Sequence, residues 1–113
     1  ITMPPDAKGV RFKSRNDSES CHLYAAFTIP CAQVESVIQT NRLIDLHKSK
    51  EPGSFTEYSI REITKTLGVQ IPPGADVKFF ASKSDFHAYQ RGGLLFSADG
   101  SDCTFVVGAE DYL

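Results

Sequence analysis

The chain has 113 residues, enough for one domain with a single core and too few for two, so residues 1–113 read as one globular domain. Hydrophobic residues make up 41%, with eight Phe and four Tyr, which excludes a disordered chain. Twelve basic residues against fourteen acidic ones give a net charge of -2, so no global field attracts phosphate backbones and no nucleic-acid partner is expected.

The first element follows a phrase that the chain uses twice. Met3-Pro4-Pro5-Asp6-Ala7-Lys8-Gly9-Val10-Arg11-Phe12 is echoed, with one residue fewer between the prolines and the valine, by Ile71-Pro72-Pro73-Gly74-Ala75-Asp76-Val77-Lys78-Phe79-Phe80. Proline fixes φ and biases its predecessor toward extended backbone, so both phrases lead through a turn into a strand. Matches this short read as two solutions of one local problem rather than as a duplicated unit.

Val10 to Arg15 is therefore a strand, residues 16–20 a polar turn, and Cys21 to Ile29 a second strand forming a hairpin with the first. Pro30 suits the first turn of a helix, which Val34, Val37, Ile38, Asn41 and Asp45 extend at helical spacing with Ile44 beside them. Residues 46–54 form a polar connector punctuated by Pro52-Gly53 and expected to be mobile. Ser54-x-x-Glu57 and Ser59-x-x-Glu62 both fit a capping box, and Ile60, Ile63 and Leu67 form the apolar stripe of a second helix ending at Gly68. Val77 to Ala81 and Phe86 to Gln90 read as strands across a turn, Gly92-Gly93 breaks the run, and Leu94 to Ala98 with Cys103 to Val107 make a last hairpin across Asp99-Gly100-Ser101-Asp102. The fold class expected is α+β, an antiparallel sheet with two helices packed on one face in the order β-β-α-α-β-β-β-β.

The stretches MPPDAKGVRF, HLYAAFTIP and AQVESVIQTNRL resemble small uncharacterised bacterial secreted or lipoprotein domains. Those open with a PPxAxxV strand, cross into a YxxF strand and continue into a helix. Phe86-His87-Ala88-Tyr89-Gln90-Arg91 before Leu94-Leu95-Phe96 is similar in kind to their late aromatic and Arg-bearing hairpin. The resemblance implies a periplasmic, cell-envelope or secreted location after signal removal, with a cytoplasmic location as the alternative, and assigns no activity. The chain starts at Ile1 rather than methionine, which fits removal of an upstream signal or lipid anchor; such an anchor would be the only membrane attachment expected.

Cys21, Cys31 and Cys103 match neither a CxxC redox motif nor a paired zinc spacing. If the second and last strands pair antiparallel, Cys31 and Cys103 approach each other, whereas Cys21 and Cys103 would need parallel neighbours. The cysteines are thus either a Cys31 to Cys103 disulfide with one free thiol, or buried thiols. His22, His47 and His87 form no HxxxH or HExxH spacing, and Cys21 and His22 point to opposite faces of a strand. No metal and no cofactor is expected. Glu57 and Glu62 do not share a helix face, Asp99 and Asp102 serve a turn, and residues 110–113 read as a frayed end.

With no catalytic constellation in the sequence, the first reading is a non-enzymatic domain that binds a protein partner or an envelope component, an immunity or inhibitor protein being one version. Its expected binding residues are Phe86, His87, Tyr89 and Arg91, together with the 46–54 connector. A small hydrolytic enzyme using His87 with a carboxylate or cysteine is the second reading, and an accessory domain of a larger assembly the third.

Overall fold

In the computed structural model, which describes residues 3–16, 20–46, 56–82, 89–97 and 99–112, the two Pro-Pro phrases each close a four-residue turn. The amide of Ala7 donates to the carbonyl of Pro4 at 3.2 Å, and that of Ala75 to Pro72 at 3.1 Å. A second proline suits the fixed φ of the next turn position, and Gly74 at φ 79 supplies the left-handed residue that follows. Each turn releases the chain into a strand.

The elements in chain order are β1 (Lys8–Asn16), β2 (Ser20–Pro30), a 3-10 turn (Cys31–Gln33), α1 (Val34–Thr40), β3 (Leu43–Asp45), α2 (Glu57–Thr66), β4 (Val77–Ser82), β5 (Tyr89–Ser97) and β6 (Asp102–Tyr112). All strand pairs are antiparallel, in one six-stranded sheet of order β1-β2-β6-β5-β4-β3. The last strand of the sequence thus lies at the centre of the sheet.

This architecture corrects the expected fold class in three respects. The helices are not consecutive, because α1 stops at Thr40 and β3 follows it. Asn41 ends α1 by donating both its backbone amide, at 3.1 Å, and its side-chain amide, at 3.0 Å, to the carbonyl of Val37. Arg42 then takes a left-handed φ of 53, so Ile44 and Asp45, read as helix, belong to a strand paired with β4.

The number of strands, six, is as expected, but their bounds differ. Gly92 and Gly93 do not break a run but sit inside β5, opposite Gly108 and Val107 of β6. A Cβ at Gly93 would collide with the backbone carbonyl of Val106, so the glycine admits a close approach of two strands. Likewise residues 110–112, read as a frayed end, pair with β2 at His22, Cys21 and Ser20.

Finally, the helices lie on opposite faces of the sheet. Ala26, Val106, Leu94 and Phe79 stand in register across β2, β6, β5 and β4, and meet Ile60 and Ile63 of α2 with its C-cap Leu67. Phe27, Phe105 and Leu95 alternate with them on the other face and pack with Val37 of α1. The rings of Phe27 and Phe105 stack there with centroids 5.7 Å apart. Runs such as Ala25-Ala26-Phe27, Leu94-Leu95-Phe96 and Phe105-Val106-Val107 are apolar without alternation because both of their faces are covered.

The N-cap of the second helix falls between the two proposed caps, two residues after Ser54 and three before Ser59. Thr56 is its N-cap, exchanging hydrogen bonds with Ser59 in a capping box, and Gly68 at φ 71 ends it as expected. Among the described residues, no helix is long and apolar enough to cross a membrane.

Candidate interaction surface

Antiparallel pairing of β2 and β6 brings Ile29 opposite Cys103, which leaves Cys31, just past the end of β2, beside it. A disulfide joins Cys31 to Cys103 across Cα atoms 5.0 Å apart, and Cys21 is a free, exposed thiol. The bridge is consistent with an oxidising, extracytoplasmic setting. It holds the 3-10 turn to the end of the sheet, a position in which its role is structural.

The residues expected to bind a partner fall only in part among the described residues. Phe86 and His87 lie outside the described residues, as does the connector apart from Leu46. Tyr89 and Arg91 lie on β5 in register with Asp111 and Ala109 of β6. His47 also falls outside the described residues. His22 sits on β2 with its Nδ1 3.3 Å from the hydroxyl of Tyr24, a contact along one strand. Among the described residues, no three His, Cys, Asp or Glu side chains gather into a potential metal site.

A different surface emerges at the edge of the sheet. β1 pairs with β2 on one side only, and all nine of its residues are exposed. The opposite edge is β3, which is only three residues long. Strand β1 is therefore the long free edge among the described elements.

Its sequence sorts chemistry by face. Arg11, Lys13 and Arg15 stand opposite Ala26, Tyr24 and His22 and share the α2 side of the sheet, while Phe12 stands opposite Ala25 on the α1 side. Phe12 is 60% exposed and Val10, two residues before it, 40%. Leu23, diagonal to Phe12 on β2, is 36% exposed, so the apolar residues continue from the edge strand onto its neighbour.

Two features fix this edge in place. Gly9, at φ 59, lies in the register shift between Lys8 and Arg11, a bulge after which pairing runs without interruption to Asn16. From there Arg11 reaches over the sheet and donates through one guanidinium nitrogen to the carbonyls of Leu67 at 3.1 Å and Gly68 at 2.8 Å. A cation at the carbonyl end of α2 meets the negative end of the helix dipole, so the edge strand and α2 hold each other. Among the described residues, no ion pair involves Lys13 or Arg15.

Reading the sequence as a set of strands and helices missed this surface. Its signal was present in Val10-Arg11-Phe12-Lys13-Ser14-Arg15, where apolar or small residues alternate strictly with cations. Such a pattern defines a two-faced strand, but only the sheet order shows that the strand lies at an edge.

No protein-family model, no curated protein and no solved structure matches the chain. The resemblance to bacterial envelope domains therefore rests on the short motifs alone.

Proposed function

We propose that this chain is a small non-enzymatic binding domain of an extracytoplasmic bacterial compartment, and that its protein partner docks an extended segment along β1. The observation that carries the reading is the β1 edge, exposed throughout, with Val10 and Phe12 uncovered beside Leu23. A free strand edge offers a row of backbone donors and acceptors, and an added strand satisfies them while its side chains meet the flanking ones. The disulfide supports the compartment, and an immunity or inhibitor protein would combine these properties.

Partner capture from the native source tests the site when compared across variants. Phe12→Asp is expected to abolish recovery of the partner that the wild-type protein retains, while Tyr58→Ala, on the outer side of α2, leaves it unchanged. The same assay with Tyr89→Ala and Arg91→Ala examines the start of β5. Retention of the same partner by Phe12→Asp removes the β1 edge from consideration.

A further inference from the structure

We propose that the segment received by β1 is acidic, carrying carboxylates at alternate positions that face Lys13 and Arg15; this rests on the reading of β1 as a docking edge. Lys8, Arg11, Lys13 and Arg15 make four of the nine residues of β1 cationic, with no acidic residue among them, in a chain whose net charge is -2. Arg11 is engaged by the carbonyls that end α2. Lys13 and Arg15 remain exposed on the same face, without a carboxylate partner among the described residues.

A second copy of the chain is a poor occupant. Antiparallel pairing of two β1 edges about a two-fold axis sets cation opposite cation in the registers centred on Phe12, Lys13 and Ser14: Arg11 on Lys13, Lys13 on Lys13, or Lys13 on Arg15. Like charges directly opposite destabilise a strand pair, whereas opposite charges support it. Protection against aggregation accounts for the lysines and arginines of a free edge but not for Val10 and Phe12 exposed on its other face. The two faces together select a segment that alternates acidic with apolar residues, carboxylates over the α2 side and apolar groups beside Phe12.

The test uses two short peptides, one alternating glutamate with valine and one alternating lysine with valine, titrated into the isotope-labelled full chain while backbone amide shifts are followed. The glutamate peptide is expected to perturb the amides of residues 11–16 and to bind about tenfold more tightly than the lysine peptide, as two favourable cross-strand charge pairs allow. In the double variant Lys13→Glu with Arg15→Glu the preference is expected to invert, a gain of binding that an unfolded protein could not show. Equal binding of both peptides at β1, unaltered by the double variant, overturns the acidic segment and leaves strand addition standing. Absence of any shift in β1 with either peptide overturns both. A single-stranded oligonucleotide that perturbs the same amides as strongly as the glutamate peptide would make the edge a phosphate-binding surface and overturns the proposal.

Discussion

Gly93 illustrates how a single position can be decided from across the sheet. The sequence shows only a Gly-Gly pair, which reads as a breaker because glycine is unfavourable inside strands. What requires glycine is the backbone of Val106 in the neighbouring strand, a partner no local pattern reveals. Gly93→Ala is expected to destabilise the fold by about 1–3 kcal/mol, measured by denaturant titration, since the added methyl forces two central strands apart. Asp99 is the opposite case, with every partner inside its own turn. It accepts the backbone amides of Ser101 at 2.9 Å and Asp102 at 3.2 Å and the hydroxyl of Ser101 at 2.9 Å, and these bonds, the Ser101 amide foremost, hold its carboxyl below its ordinary pKa. A lowered folded pKa means that the contribution is complete above the unfolded value and is lost as pH falls through the folded one. An NMR titration is expected to show Asp99 protonating below the ordinary range of an aspartate, and Asp99→Ala to remove that acid-range component of the stability profile.

At the scale of elements, what could be read from the sequence is what is local. The hairpin of β1 and β2, the stripe of Ile60, Ile63 and Leu67, the Gly68 stop and the Asp99-Gly100 turn all depend on residues a few positions apart. The cap of α2 was misplaced by two or three residues because Ser54, Thr56 and Ser59 are all competent caps and only geometry chooses among them. Thr56→Ala is expected to lower stability by about 1 kcal/mol, with increased amide exchange in the first turn of α2. β3 could not be read in the same way. Leu43, Ile44 and Asp45 continue the helical spacing of α1, and they are a strand only because Ser82, Ala81 and Phe80 offer them an edge. The β1 surface falls between these cases, its alternation legible and its exposure not.

For the whole molecule, the error in fold class came from assuming that a sheet buries one face. The continuous apolar runs of β2, β5 and β6 already carried the contrary information, but uniform burial cannot say which helix covers which side. The bridge between Cys31 and Cys103 closes a separation of 72 residues, and in the chain-entropy view its reduction is expected to cost about 4 kcal/mol of stability, seen as a lower melting temperature in reductant. Alkylation of the denatured, unreduced protein is expected to label Cys21 alone; labelling of all three cysteines would remove the oxidising compartment from the proposed function.

The placing of β6 between β2 and β5 bears on the order in which the chain can fold. A chain delivered from its N-terminus presents the first hairpin and β5 before the strand that joins them, so until Asp102–Tyr112 follows the sheet cannot close. The inner edges of β2 and β5, lined by Phe27 and Leu95, are then open to chaperones and to wrong strands alike. Insertion of one late segment completes eleven pairings with β2 and nine with β5, and it delivers Cys103 to Cys31 in the same movement. Formation of the disulfide therefore reports that the nascent sheet has closed.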